Sequence, residues 1–292
     1  MIWPAVTEAI SSATGESFVF ASAERVGGGC ISQAYSLSNT QGQRYFVKTH
    51  TAELLEMFVA EAEGLLLLAD SHSIKVPRPC TWGSSGDTAY LVMEFLSLDG
   101  SGSERQLGQQ LAQMHAVHSG RFGWRRDNTI GSTPQDNTPS DDWAVFWRDR
   151  RLGAQLERAE EQGYRGRLLD QGERLLAGMG AFFTGYAPAA SLLHGDLWSG
   201  NHAYTRKGEP VIFDPAVYFG DRETDLAMTE LFGGYGKDFY TAYREASPLD
   251  PGYRVRKTLY NLYHILNHLN MFGGGYARQA EAMMDQLLSE IE

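Results

Sequence analysis

The sequence predicts an α+β chain of two lobes: a small antiparallel β-rich lobe with one main helix over residues 1–95, then a larger, mostly helical lobe over 96–292. Three observations carry this. Short runs with period-two alternation, separated by turn residues, fill the first part of the chain. Helical periodicity takes over after Leu98-Asp99-Gly100-Ser101-Gly102-Ser103. The 292 residues, 42% of them hydrophobic, supply a sizeable core and show no fixed-period repeat.

Residues 1–12 put Ile2, Val6 and Ile10 on one face of a short amphipathic helix. Strand-like stretches follow at 17–21 and again up to Gly27-Gly28-Gly29. Alternation at Ala34-Tyr35-Ser36-Leu37, a turn at 39–42 and the run Tyr45-Phe46-Val47-Lys48 complete an antiparallel meander. Residues 51–69 read as a helix, with Leu54, Leu55, Phe58, Ala62, Leu65 and Leu66 at helical spacing. Pro77 and Pro79 break it, and a hairpin follows over 81–95 around a turn at 83–87. Later helices are expected at 104–118, 142–162, 167–185, 224–232, 257–272 and 277–292. A strand pair near Ala203-Tyr204 and Val211-Ile212-Phe213 interrupts them. The polar stretch 127–142 reads as a surface loop, and the hinge between lobes falls near 94–99.

Lys and Arg number 25 against 36 Asp and Glu, a net charge of −11. That balance disfavours generic binding to nucleic acid or anionic membrane. The longest apolar run, near 65–69, is far too short to span a bilayer, and no basic-then-apolar leader is visible. Two cysteines, Cys30 and Cys80, allow one bridge at most, which suits a reducing compartment. The expectation is a soluble cytoplasmic protein with no nucleic-acid or membrane partner.

The first chemical signal is Gly27-Gly28-Gly29-Cys30-Ile31-Ser32, lying between two strands. It departs from G-x-G-x-x-G at Ser32, opens no helix and lacks the Gly-Lys-Ser/Thr of a Walker loop. A glycine-rich hairpin often serves only its own turn, yet such a turn can also lay backbone N–H groups over nucleotide phosphates. Lys48 ends a strand; its plain reading is a solvated lysine. The functional reading needs a carboxylate on the next helix to hold the ammonium toward the α/β-phosphates. Glu61, with Phe58 at i−3, Leu54 at i−7 and Leu65 at i+4, is preferred to Glu63.

The most specific pattern is His194-Gly195-Asp196-Leu197-Trp198-Ser199-Gly200-Asn201, with Asp214 thirteen residues beyond at a strand end. H-x-D-x-x-x-x-N…D is the arrangement of kinase-type phosphoryl transfer. Asp196 must reach the attacking hydroxyl, while Asn201 and Asp214 must converge on the Mg²⁺ that bridges the phosphates. Singly, each residue fits a turn or a strand-end cap. In register, and downstream of a glycine turn and a strand lysine, they make coincidence a poor explanation. ATP and Mg²⁺ are the expected cofactors, bound in the cleft. Gly195 and Pro215 stand where regulated protein kinases carry arginine and phenylalanine, so a constitutively assembled site is expected. Asp225 either caps a helix or bonds back to the catalytic-loop backbone.

On the acceptor side, Trp198 sits inside the catalytic loop, where an indole could stack on a sugar ring and aim its hydroxyl at Asp196. His268, on a helix with Tyr260, His264 and Asn267, is the second candidate. His264 and His268 lie at i, i+4, but without an adjacent Glu or a third ligand they do not make a zinc site.

Gly28-Gly29-Cys30-Ile31-Ser32, Met57-Phe58, Met93-Glu94-Phe95, HGDLWSGN at 194–201, Asp214-Pro215-Ala216 and Phe232-Gly233-Gly234 together resemble the fructosamine kinase (ketosamine-3-kinase) family. That family stands in the protein-kinase-like superfamily, beside aminoglycoside phosphotransferases and choline kinases. The resemblance runs from Gly27 to Phe272, with His202 at a place where the family varies. It implies a two-lobed kinase-like fold and ATP-dependent phosphorylation of the 3-hydroxyl of sugar–amine adducts, which destabilises them and reverses glycation. It also implies Glu94, Phe95 and Leu96 as the hinge meeting adenine. Redox inhibition through Cys30 is implied too, with the protein a monomer or a Cys30-linked dimer. The sugar (fructose, ribulose or erythrulose) stays open, as does the choice between free and protein-bound adducts. The alternatives are a kinase for another small alcohol, of aminoglycoside or choline type, and a catalytically silent nucleotide-binding scaffold. The intact set Lys48, Asp196, Asn201 and Asp214 argues against the scaffold.

Overall fold

The computed structural model describes residues 2–27 and 32–291, so Gly28, Gly29, Cys30 and Ile31 of the glycine-rich turn lie outside the described residues. The chain forms two compact units, Met1–Ser103 with His202–Pro215, and Glu104–Asn201 with Ala216–Glu292. This division differs from the expected boundary after residue 95. Residues 96–103 stay with the first unit because the returning hairpin His202–Tyr204/Pro210–Ile212 holds them. Arg206 grips Asp99 with two donors, at 2.9 and 2.7 Å, and Gly100 donates its N–H to the Tyr204 carbonyl. Ile212 in turn donates to the carbonyl of Lys75. Such pairings join residues more than a hundred positions apart, which local periodicity does not report.

The first unit is a five-stranded antiparallel sheet in the order β1-β2-β3-β5-β4, from β1 (Phe20–Val26), β2 (Gln33–Asn39), β3 (Arg44–Thr51), β4 (Pro79–Ser85) and β5 (Thr88–Glu94). The two short strands expected before Gly27 are one strand, irregular in register between Phe20 and Ser22. Helix α1 (Trp3–Thr14) packs Val6 and Ile10 into a core with Leu37, Val47, Tyr90 and Val92. Burying each of these aliphatic side chains contributes about 1.5–3 kcal/mol. Period-two alternation then sends Lys48 to the opposite face from Val47, toward helix α2 (Leu55–Asp70). A one-residue slip would turn Lys48 into the α1 core, so the burial of Val47 and Val92, which pair across β3 and β5, keeps the lysine in place.

The second unit carries α3 (Glu104–His115), α4 (Trp143–Trp147), α5 (Ala154–Glu161), α6 (Arg167–Ala177), α7 (Glu223–Leu231), α8 (Lys237–Ala246), α9 (Tyr253–Phe272) and α10 (Tyr276–Ser289). α9 is buried on nearly every side from Leu259 to Asn267, with the polar Asn261, His264 and Asn267 buried among its apolar and aromatic residues. The helix expected at 142–162 is broken by a π-helical stretch, Arg148–Gly153. The one expected at 167–185 ends at Ala177, with a short 3₁₀ turn beyond it. α8 was not anticipated, although Phe239, Ala242 and Tyr243 form its buried face.

The stretch 127–142 is not a surface loop. It holds the hairpin Asn128–Ile130/Thr133–Gln135, with Gln135 and Asn137 buried. Its polar groups are satisfied by one another and by the chain they clasp. Asn128 donates to the Val217 carbonyl, Gln135 donates to Asn128, and Arg151 donates to Asn137. Polarity reads as exposure in a sequence, but a polar group is buried readily once it is hydrogen-bonded. A three-stranded sheet sets Ala190–Leu193, buried along its length, between Tyr218–Gly220 and His118–Ser119. No helix among the described residues is long and apolar enough to cross a membrane.

Candidate active site

In the first unit, Lys48 Nζ meets Glu61 Oε1 at 2.5 Å and Asp214 Oδ1 at 2.8 Å. Glu61, rather than Glu63, is therefore the partner: it lies between the buried Phe58 and Leu65 on the sheet-facing side of α2. Burial alone would push the ammonium toward neutrality. The charges of Asp214 and Glu61 outweigh it and hold the Lys48 pKa above the ordinary value. Glu61 is raised, chiefly by its own burial and against the pull of Lys48. Asp214 sits in the left-handed region at φ +58°, uncommon outside glycine, just after the strand Pro210–Ile212. Backbone conformation thus aims its carboxylate as a strand continuation would not.

In the second unit, the loop 194–201 leaves the buried strand Ala190–Leu193 and is pinned from below. Asp225, near the start of α7, accepts N–H bonds from His194 (2.7 Å) and Gly195 (2.8 Å). Gly195 adopts φ +83°, and a Cβ there would lie 2.1 Å from the Ala216 carbonyl oxygen, so no other residue fits. The fully buried Leu197 anchors the middle of the loop. Asn201 turns its amide nitrogen to the Asp196 carbonyl (2.8 Å) and carboxylate (3.3 Å), so each orients the other.

Beneath Asp225 lies His115, which sequence reasoning missed. Arg222 donates to the Tyr243 hydroxyl, which is 2.7 Å from His115 Nδ1, and His115 Nε2 is 3.1 Å from Asp225. An ionised Asp225 can only accept, so Nε2–H donates to it, and the Nδ1 of the neutral imidazole then accepts from the Tyr243 hydroxyl. Burial would raise the Asp225 carboxyl, but the bond from His115 and the loop N–H groups hold it below its usual range. The available signal was a histidine on the apolar face of α3, beside Leu111 and Met114.

Asp225→Asn keeps the shape but leaves one of its three donors facing an NH₂ group. It is expected to destabilise the protein by about 2–4 kcal/mol and to lower turnover, both read on one purified variant by thermal melt and assay. An unchanged melt would remove Asp225 from this role.

The acceptor-side candidates come together. Trp198 is 36% exposed, which fits a core role poorly, and its ring meets Phe232 edge-on at 6.2 Å. Phe232 in turn packs on His268 at 5.0 Å, and Tyr276 flanks that imidazole at 5.3 Å. Phe232 and Tyr276 are the residues of this row that the sequence reading did not single out as site residues. His264 does not join it: it is buried, and its Nδ1 finds no hydrogen-bond partner among the described residues. Burial, then the neighbouring His268, depresses its pKa to about 3. From pH 6.5 downward the unfolded chain takes up a proton that native His264 refuses, so stability falls with acidification until about pH 3. The slope is steepest at about 1.4 kcal/mol per pH unit. His264→Leu is expected to flatten that part of the stability–pH curve, measured by urea unfolding; an unaltered slope would refute it.

Glu94, Phe95 and Leu96 are half-buried at the end of β5, where Glu94 donates its N–H to Arg78 and the Arg44 guanidinium stacks on Phe95 at 3.9 Å. Gly27 and Ser32 flank the four undescribed residues, and Cys80 is a free, half-buried thiol in β4. Among the described residues no group of three His, Cys, Asp or Glu side chains could hold a metal ion.

A strand lysine clamped by a helix carboxylate and a post-strand aspartate, together with an H-x-D-x-x-x-x-N loop pinned by a helix aspartate, defines a protein-kinase-like phosphotransferase. An ADP-bound aminoglycoside phosphotransferase shares the fold, with a TM-score of 0.62 at 14% identity over 99% of this chain and 95% of that one. The chain belongs to the fructosamine kinase family, whose family model matches residues 2–290. It is 47% identical to a probable ketoamine kinase of Synechocystis over 98% of this chain and 97% of that protein. It is 43% identical to the chloroplastic protein-ribulosamine 3-kinase of Arabidopsis thaliana, over 91% and 82%. A crystal structure from Haemophilus somnus, described provisionally as a fructosamine-3-kinase, superposes with a TM-score of 0.90 at 28% identity, over 98% of this chain and 97% of that one.

Proposed function

We propose that this protein transfers the γ-phosphoryl group of ATP to the 3-hydroxyl of a ketosamine, destabilising the adduct and so reversing glycation. The observation that carries the reading is the Lys48–Glu61–Asp214 cluster, a buried ammonium kept charged beside the aspartate expected to bind metal. Asp196 orients the acceptor hydroxyl and takes its proton as the oxygen bonds to phosphorus and the bond from phosphorus to the ADP oxygen breaks. Lys48, with the amides of the turn at Gly27–Ser32, meets the phosphates, and Glu94–Leu96 meet the adenine. Asn201 and Asp214 hold Mg²⁺. Both offer hard oxygens, Asn201 keeping its carbonyl oxygen after giving its amide nitrogen to Asp196. Two protein ligands suit a cation completed by phosphate and water rather than an all-protein cage. When bound, Mg²⁺ would neutralise the charge that develops on the transferred group. Trp198 and His268 receive the sugar.

The test is a coupled ADP-release assay with ribulosyl-, fructosyl- and erythrulosyl-lysine, free and in a peptide, beside kanamycin and choline. ADP release with a ketosamine, abolished by EDTA and restored by Mg²⁺, is expected. Release only with kanamycin or choline would replace the acceptor; none with any would favour a silent scaffold.

A further inference from the structure

We propose that Gly200 is a positioning residue for the acceptor: it is the floor on which the Trp198 indole lies, and its missing side chain sets the angle of that ring. A Cβ at Gly200 would stand 2.3 Å from Trp198 Cη2, 2.4 Å from Cζ2 and 2.8 Å from Cε2. Non-bonded carbons settle at about 3.5–4.0 Å, so an alanine here cannot coexist with the ring as placed. All three nearest atoms belong to the indole.

The usual alternative reason for a glycine does not apply. Gly200 is not among the residues at positive φ; it lies in the 3₁₀ turn Ser199–Asn201, a conformation open to any residue. What the position requires is smallness, and the beneficiary is Trp198.

The indole is also the part free to move. It is 36% exposed, with Phe232 edge-on at one side rather than a closed core around it. An added methyl group would therefore tilt the ring instead of unfolding the loop. Tilting would break the row Trp198–Phe232–His268 that faces the acceptor.

The inference rests on the reading that Trp198 is the acceptor's platform. Five proteins test it: wild type, Gly200→Ala, Trp198→Ala, the double variant Gly200→Ala/Trp198→Ala, and Gly200→Ala/Trp198→Phe, assayed with ATP and a ribulosyl-lysine peptide. Gly200→Ala is expected to raise the acceptor KM about fivefold, the worth of one aromatic contact, with the ATP KM unmoved. In the Trp198→Ala background the same alanine should add nothing, because the clash has lost its partner. Gly200→Ala/Trp198→Phe, with a smaller ring, should recover part of the loss. Additive effects would overturn the inference, since they would mean that the methyl group acts through the backbone or Asn201.

If Gly200→Ala fails to fold, the double variant must fold; failure of both overturns the proposal. A readout independent of turnover separates this inference from the acceptor reading. The near-ultraviolet circular dichroism that Trp198 contributes, wild type minus Trp198→Ala, should change in Gly200→Ala. A changed spectrum with acceptor kinetics untouched in both single variants would refute the platform and leave the contact standing. An unchanged spectrum would refute the contact itself.

Discussion

Asp196→Asn is expected to lower kcat by about a hundredfold or more, with the ATP KM and the melting temperature nearly unchanged. General-base help is typically worth 10²–10⁴. The substitution preserves shape and the backbone carbonyl to which Asn201 donates, so the loop keeps its strongest internal tie. What disappears is a proton acceptor and a negative charge beside the hydroxyl. Steady-state kinetics with a ketosamine, together with nucleotide binding by calorimetry, checks this. Turnover within about threefold of wild type would take Asp196 out of the role.

Lys48→Met is expected to cost both activity and stability, and the two losses can be separated. Its ammonium pairs with both the nearly buried Glu61 and Asp214. Breaking a buried pair costs about 3–5 kcal/mol; the lower end applies here because Asp214 is 41% exposed and water screens it. Glu61 is already raised by burial, and Lys48 is what pulls it down. Without the lysine its carboxyl rises further, so the destabilisation should be fully present above that raised value. It should fade as pH falls and Glu61 protonates.

Lys48→Met/Glu61→Leu should regain much of the stability, since no buried charge is left unpaired. It should regain no activity, since nothing replaces the ammonium at the phosphates. Loss of one such donor costs about 10²–10³ in kcat. A double variant that melts no higher than Lys48→Met would show that Glu61 is not what the lysine stabilises.

The legible part of this protein is the part written in short range. The alternation Tyr45-Phe46-Val47-Lys48 assigned the lysine to one face of its sheet, and the spacing of Phe58, Glu61 and Leu65 aimed the carboxylate at it. The H-x-D-x-x-x-x-N run is a single loop whose chemistry travels with its spacing, and Leu197 inside it is the apolar anchor that any such loop needs. Each of these patterns closes within about a dozen residues, where chain geometry and side-chain type leave few alternatives.

Tertiary structure decided the rest, because it depends on which distant groups satisfy one another. Nothing near Asn128, Gln135 or Asn137 says that these amides are buried; their partners are the carbonyls and side chains of residues 216, 217 and 151. Nothing near His115 points to Asp225, and only the packed core brings them to 3.1 Å and through them fixes the loop that carries Asp196. The hairpin 202–212 belongs to the first unit through Asp99, Gly100 and Lys75, each more than a hundred residues from its partner. A sequence determines by itself what a short segment can be, since backbone sterics and periodicity are local. Which buried polar group meets which is a property of the closed core, because the cost of an unmet donor or acceptor is levied only once water has been excluded.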